Sequence, residues 1–210
     1  WGLERPIGVG VMIGEVSCEG LLTTSGAQAG DKIVLVKGIP IEATALIARE
    51  RAADLRQRGY DEAFIARAQG YLYDPGISVV AAARLAARHP GVHAMHDPTE
   101  GGLATGLHEL AFVAGTGLRL DADRVMVWPE AERLCAEYGL DPLGTIASGA
   151  LIVAVAPQQA EELVQAYAQA SIPCSIIGEL LPPGAGIWLE RQGRTAPLPR
   201  YDTDEISRIF

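Results

Sequence analysis

The sequence is poor in the residues that build metal centres and disulfide frameworks. Its 210 residues include three cysteines and four histidines, without a Cys-x-x-Cys pair or a Cys/His cluster. An odd number of scattered cysteines favours reduced thiols in a cytoplasmic protein over a zinc site or a disulfide. We therefore expect a cytoplasmic location and no metal site within this chain.

Positive charge and long apolar runs are also scarce. Lys and Arg number 17 against 26 Asp and Glu, giving a formal net charge of −9, and no basic stripe is present. A nucleic-acid partner would need such a stripe to neutralise its phosphates. No apolar run approaches the roughly 18 residues of a membrane span, and the GxSxG, Walker A and HExxH motifs are absent. We therefore expect the chain to bind a small molecule, and we expect neither a nucleic-acid partner nor a membrane partner.

The apolar residues, 49% of the chain, are sufficient for one sizeable core. Compact β-branched runs predict buried strands at 32–38 and 149–156. Helical spacing begins at Pro40, Asp61 is placed to cap a second helix, and further helices are predicted within 74–91, 129–138 and 157–170. A hairpin is predicted around Pro182-Pro183-Gly184. This mixture of crossovers and hairpins predicts an α+β layered sandwich, with one mixed β-sheet and helices packed on it.

The chain divides by pattern into three parts. Residues 1–27 include a glycine-spaced apolar stretch from Arg5 to Val16 that is typical of a strand, followed by a short strand and a turn. Residues 28–194 carry the alternating strands and helices of the main domain. Residues 195–210 are expected to form an extended, poorly packed tail. Because the first residue is Trp1 and no targeting signal follows it, we expect the chain to be part of a longer protein.

The segment MHDPTEGGLATGLHELA contains the most informative motif. Asp97 is suited to cap a helix, Pro98 to its first position and Glu100 to its third, which together predict a capping box. Gly101 and Gly102 contradict a merely structural helix start, because each glycine costs up to about 1 kcal/mol relative to alanine. Two glycines indicate a close approach by a ligand, a neighbouring strand or another subunit. Bare N–H groups would suit an anion, although the nearby carboxylates favour a Mg²⁺-bridged phosphate or an amide ligand.

Several other polar residues are candidates for the same site. His96 lies at a strand end, where it is suited to act as a base, and Thr99 lies within the motif loop. Ser148 and Gly149 precede a buried strand, so the hydroxyl can donate to a substrate oxygen or make a turn bond. Lys37 follows a buried strand and is suited to contact phosphate. For His96 and Lys37, a purely structural role remains open.

These residues carry a family resemblance. The motif closely resembles the Asp-Pro-Thr-Arg-Gly-Gly segment of the aminoimidazole ribonucleotide (AIR) synthase superfamily, which includes hydrogenase expression/formation proteins, selenophosphate synthetase and thiamine-monophosphate kinase. AGDKIVLVKG, PLGTIASGALIVAV and CSIIGELLP agree in order, so the resemblance runs from about Arg5 to Leu181. It implies that residues 28–194 are the C-terminal, substrate-side domain. It further implies an N-terminal domain that binds Mg-ATP and forms a homodimer, with phosphorylation of an amide or acid oxygen as the chemistry.

Three departures separate the chain from the hydrogenase-maturation branch. Glu100 stands where those relatives have Arg, and Ser148 stands where they have a proton-removing Glu. The chain ends at Phe210, where they end in the cysteine that carries the thiocarboxamide. We therefore expect an ATP-dependent enzyme of unassigned substrate, inactive as this chain alone and without a cofactor of its own. A non-catalytic binding or assembly module is the alternative, and hydrogenase maturation is disfavoured.

Overall fold

A mixed seven-stranded sheet lies at the centre of the computed structural model, which describes residues 8–11 and 13–210. The strand order is β2-β4-β1-β5-β3-β6-β7. Strands β3 and β6 run parallel, and the other neighbouring pairs are antiparallel. The strands are β1 (Lys32–Val36), β2 (Val92–His96), β3 (Gly117–Asp121), β4 (Leu151–Val155), β5 (Cys174–Leu181), β6 (Ile187–Arg191) and β7 (Arg194–Pro197).

Helices pack on this sheet, and local signals fix several of their ends. Asp61 caps its helix as predicted, because its Oδ1 accepts the Phe64 N–H at 2.6 Å. Pro129 begins another helix, which ends at Gly139 in the left-handed conformation with φ 64°. The helices are α1 (Ile41–Glu50), α2 (Ala52–Gln57), α3 (Glu62–Gly70), α4 (Val80–Ala86), α5 (Gly102–Ala114), α6 (Pro129–Tyr138) and α7 (Ala160–Gln169).

The two faces of the sheet are buried by different helices. Along β1, Ile33 and Leu35 face the cluster that contains α5, whereas Val34 and Val36 face the cluster that contains α4 and α7. A third cluster joins α1, α2, α3 and α6. Alternate side chains of one strand therefore serve two cores, as the period of a strand requires. The predicted α+β layered sandwich with a mixed sheet is confirmed.

The predicted hairpin around Pro182 is wrong. Strands β5 and β6 do not pair with each other, because β3 lies between them, with Leu118 opposite Leu180 on one side and Ile187 on the other. The segment 182–186 crosses over β3, a distance of two strand spacings or roughly 10 Å. The Pro-Pro-Gly sequence correctly indicated a reversal of the chain. It contained no signal for the strand that the reversal spans.

The N-terminal expectations are not met where the structure describes them. The predicted strand from Arg5 to Val16 lies partly outside the described residues, and 8–11 and 13–16 contain no strand. Val9 and Ile13 are 85% and 91% exposed, so no partner covers their side chains within the described part of the chain. The short strand predicted next is absent at 21–23, and a 3₁₀ turn at Thr24–Gly26 follows, where a turn was predicted. A Cβ on Gly26 would collide with the carbonyl oxygen of His93, which explains the glycine there.

Two other boundaries differ from prediction. The helix expected from Asp74 begins only at Val80, after a π-helical turn at Leu72–Gly76. The tail expected to be poorly packed is in fact ordered, because β7 extends the sheet, Leu198 is 4% exposed, and a 3₁₀ turn at Glu205–Arg208 follows. The division of the chain at residues 27 and 194 stays a prediction.

Candidate functional site

The predicted site residues converge at one edge of the sheet. The carboxyl ends of β1 and β2 and the amino end of β4 meet there, since Val36 pairs with Leu151 and His96 pairs with Ile152. The loops that follow β1 and β2 therefore lie beside the loop that precedes β4. A backbone hydrogen bond from the Ala147 N–H to the Thr99 carbonyl, 3.2 Å long, joins two of these loops.

The predicted capping box at the start of α5 is wrong. The helix begins at Gly102, its N-cap is Gly101, and no side chain caps it. Asp97 and Glu100 are exposed and lie before the helix. The helix does not begin at Pro98 because the Thr99 carbonyl accepts the Gly102 N–H at 3.0 Å. This hydrogen bond closes a turn in place of the first turn of a helix. Both carboxylates are thereby left free of the helix terminus and face solvent.

The two glycines are required by the protein's own backbone. Gly101 and Gly102 have φ of 73° and 64°, a region that side chains disfavour. A Cβ on Gly102 would lie 2.5 Å from the carbonyl oxygen of Leu143 and 2.7 Å from that of Thr145. The loop before β4 therefore fills the space beside Gly102. The sequence predicted a close approach by a ligand, a neighbouring strand or another subunit, whereas the segment that lies against Gly102 is a loop of the same chain.

The tail supplies an anion to this helix start. Asp204 Oδ2 accepts the Gly101 N–H at 2.7 Å, and its Oδ1 accepts the N–H groups of Ile146 and Ile206 at 3.2 and 2.9 Å. A carboxylate at a helix N-terminus is electrostatically favourable. A bare phosphate would have to displace Asp204 to reach the Gly101 N–H. A cavity of about 260 Å³ remains beside it, with Glu100 and Arg200 among its lining residues.

Lys37 is buried and fully engaged by backbone carbonyls. Its Nζ donates to the oxygens of Gly76, Ser78 and Pro75 at 2.5, 3.0 and 3.4 Å. Burial lowers the pKa of the Lys37 ammonium. Because three acceptors match its three N–H donors, no donor is left to contact phosphate in this arrangement. Lys37 instead holds the 75–78 loop in place.

That loop is a part of the site that the sequence reasoning missed. It packs over Gly149, where a Cβ would lie 3.0 Å from the Gly76 carbonyl oxygen and 3.1 Å from the Ile77 Cα. Ser148, next to Gly149, is partly buried. A lysine directly after a buried strand was the available signal, but its partners lie 38 to 41 residues away in sequence. Local sequence patterns do not predict contacts between residues that far apart.

His96 lies at the same edge, with a partner that was not predicted. Its Nε2 lies 2.8 Å from Glu109 Oε2 on α5, and the His96 side chain is 23% exposed. The carboxylate fixes the orientation of the imidazole. His108, one residue earlier on α5, contacts the Leu198 carbonyl oxygen through Nε2 at 3.1 Å and holds the tail against the helix.

Potential metal ligands and two of the three cysteines were located among the described residues. Residues 8–11 and 13–210 contain no group of three or more His, Cys, Asp or Glu side chains placed to hold a metal ion. Burial raises the pKa of the Cys135 thiol to about 12 and that of Cys174 to about 11, so neither is a thiolate at neutral pH. Across the same residues, no helix is long and apolar enough to cross a membrane.

Comparison with known proteins now identifies the family. Residues 28–187 match the model of the AIR synthase related protein family, C-terminal domain. The chain belongs to this family. It is 30% identical over 159 residues to the carbamoyl dehydratase HypE of Cupriavidus necator, covering 76% of this chain and 41% of the relative. It is 34% identical over 164 residues to HypE of Rhodobacter capsulatus, covering 71% and 45%.

Solved structures share the AIR synthase fold. Escherichia coli HypE superimposes with a TM-score of 0.68 and 25% identity, covering 90% of this chain and 55% of that one. A HypE structure in complex with ATP gives 0.64 at 18% identity, covering 91% and 57%. A ThiL structure complexed with AMPPCP and TMP gives 0.59 at 16%, covering 86% and 53%. The chain thus spans about half the length of these proteins, or less.

Proposed function

We propose that this chain is the substrate-side C-terminal domain of an ATP-dependent enzyme that phosphorylates an amide or acid oxygen of its substrate. The observation that carries the proposal is the convergence of the family's motif loop, the Ser148 loop and the Lys37-held loop at one sheet edge. Family membership supports it, as do relatives named carbamoyl dehydratase. Dehydration of a carbamoyl group needs its oxygen to depart, and phosphorylation turns that oxygen into a leaving group.

The roles we propose follow from the groups of each residue that are available to contact a ligand. Asp97, Thr99 and Glu100 form the ligand-facing loop, with Gly101 and Gly102 shaping its backbone. His96, oriented by Glu109, is suited to move a proton, and Ser148 to donate to a substrate oxygen, with Gly149 keeping its loop close to 75–78. Lys37 is a positioning residue in this scheme rather than a phosphate ligand.

Mg-ATP would be held mainly by the N-terminal domain that the resemblance implies. Asp97 and Glu100 are carboxylates of the type that Mg²⁺ accepts, but the described residues offer no complete ligand set. Phosphate oxygens, water and the other domain would supply the remaining ligands. We further propose that the N-terminal domain is the partner of this chain and that the whole protein is a homodimer.

One observation favours the alternative, a binding or assembly module without catalysis. The Asp204 carboxylate already occupies the Gly101 N–H that an anionic ligand would use. A tail held in this way would be compatible with a domain that keeps the family fold but no longer binds a phosphorylated intermediate. The two proposals differ in whether the whole protein consumes ATP when offered an amide or acid.

The test is substrate-dependent ATP hydrolysis by the full-length protein that contains this chain. With a panel of carbamoyl compounds, amides and carboxylic acids, we expect at least one to stimulate phosphate release. Asp97→Asn should lower the stimulated kcat by roughly tenfold or more, whereas Asp123→Asn, an exposed aspartate after β3, should not change it.

The 210-residue chain alone should show no turnover, and turnover by it would refute the division of labour between domains. Hydrolysis that ignores every compound in the panel, or that Asp97→Asn and Asp123→Asn affect equally, would contradict the proposal. Absence of any hydrolysis would favour the assembly module.

A further inference from the structure

A second groove lies between the outer flank of α5 and the tail. It has a volume of about 510 Å³, within the range of small-molecule pockets. None of the residues predicted for the substrate site lines it. Its walls include Thr105, His108 and Phe112 of α5, Thr116 in the following turn, Ile187 of β6 and Arg200 of the tail.

One end of the groove is apolar. Phe112, which is 85% exposed, lines the groove, and Ile187 contributes aliphatic surface beside it. A single exposed aromatic residue needs no explanation, but one beside a concave apolar wall offers a flat surface for a ligand's body. The wall formed by the tail is held in place, because His108 Nε2 contacts the Leu198 carbonyl oxygen at 3.1 Å.

The other end of the groove has an available cation. The Arg200 guanidinium pairs with Asp202 at 3.0 Å, but their side chains are 71% and 82% exposed. So exposed a pair contributes little, and a carboxylate that also gains apolar contacts can displace Asp202. The groove's own carboxylate, Glu109, lies 2.8 Å from His96 Nε2, so its close partner is His96 and not Arg200.

The groove also contains a hydroxyl group that lacks a hydrogen-bond partner. Thr116 Oγ1 is shielded from solvent and has no hydrogen-bond partner among the described residues. A buried hydroxyl without a partner is costly, so such atoms are rare in folded proteins. Because Thr116 also lines the groove, a rotation of its side chain would bring Oγ1 to a ligand bound there, which would supply the missing partner.

We propose that this groove is a binding site for a small organic acid with an aromatic or branched apolar body. The carboxylate binds Arg200, the body lies against Phe112 and Ile187, and a polar atom of the ligand meets Thr116. The proposal does not depend on the proposed enzymatic function, because none of the residues that would contact the ligand belongs to the sheet edge.

The test uses 3-phenylpropionate, with 3-phenylpropionamide and propionate as probes that lack the charge and the ring. Titrations of the 210-residue chain are followed by amide chemical-shift changes in two-dimensional NMR. We expect 3-phenylpropionate to shift the amides of α5 and of residues 115–117 and 198–201, and to bind more tightly than either control probe. Arg200→Gln should weaken binding by about tenfold, as for loss of a charge-assisted hydrogen bond. Arg194→Gln, an exposed arginine of β7, should leave it unchanged.

Thr116→Val provides a second variant that does not endanger the fold, because it removes the unsatisfied hydroxyl while keeping the side-chain shape. It should weaken 3-phenylpropionate binding severalfold. Shifts confined to other surfaces, equal affinity for acid and amide, or equal binding by the Arg200→Gln and Arg194→Gln variants would overturn the proposal. So would an absence of shifts at millimolar probe.

Discussion

The glycine pair at the start of α5 gives the sharpest prediction about stability. Gly102 and Gly139 share a φ of 64°, so an alanine at either position suffers the same backbone strain. They differ in surroundings: a Cβ on Gly139 meets nothing within 4 Å, whereas on Gly102 it meets the backbone of Leu143 and Thr145 at 2.5 to 2.8 Å. The comparison of the two variants therefore isolates the steric part of the cost.

The magnitudes follow from these distances. Left-handed backbone strain costs roughly 1–2 kcal/mol for a residue with a Cβ, which is the whole expectation for Gly139→Ala. Overpacking against backbone that cannot move away adds roughly 1–3 kcal/mol, so Gly102→Ala should cost about 2–5 kcal/mol in total. Urea unfolding followed by circular dichroism, with the slope checked for constancy, measures both variants.

Equal destabilisation by the two alanines would refute the reasoning. It would mean that the loop before β4 does not press on Gly102 in solution, and that the space beside the helix start is open to a ligand. The pair Gly101 and Gly115, with φ of 73° and 68°, allows the same comparison for a Cβ that would meet both the Thr105 side chain and the tail carbonyl of Tyr201.

Three further predictions concern the tail, pH and thiol reactivity. Asp204→Ala should lower the free energy of unfolding by about 2 kcal/mol, because three N–H groups lose a charged acceptor, whereas Asp202→Ala should change it little; equal effects in urea titrations would contradict the tail's anchoring role. The hydrogen bond from Tyr71 holds the pKa of Glu130 below its usual value, against an opposing effect of burial. The stabilisation from Glu130 is therefore present at neutral pH and lost as the pH falls through that lowered pKa. The difference in free energy of unfolding between the parent and Glu130→Gln should shrink between about pH 5 and pH 3. A difference that stays constant over this range would contradict the prediction. Cys135, buried and with its pKa raised to about 12, should resist iodoacetamide at pH 8 in the folded chain and react once urea unfolds it, as peptide mass spectrometry can show; rapid labelling of the folded chain would be the opposite result.

The fold was predictable where local patterns decide it. The β-branched run of β1, the cap at Asp61 and the proline start of α6 each depend on residues close in sequence, and all three are confirmed. The pairing of β3 between β5 and β6 depends on which buried strands meet across the sheet. The Pro-Pro-Gly turn therefore predicted the reversal without its topology.

The candidate residues could be assigned to strand ends from the sequence, but their contacts could not. The motif residues and Ser148 do meet at one edge, as strand ends in a sheet would suggest. The capping box is wrong because the Thr99 carbonyl accepts the Gly102 N–H, while the neighbouring Gly101 N–H binds Asp204, a residue 103 positions later. Lys37 similarly binds carbonyls of a loop that no local signal linked to it. In both cases a group binds a residue that is distant in sequence, which a local pattern does not indicate.

The proposed phosphorylation of a substrate oxygen can be tested most directly by isotope transfer. Once a stimulating amide or acid is found, the full-length protein is incubated with ATP and that compound labelled with oxygen-18 at the carbonyl or carboxyl group. Phosphorylation of that oxygen followed by departure of phosphate predicts that the label appears in the released inorganic phosphate. Phosphate free of the label, formed while ATP and the compound are both consumed, would contradict the proposal.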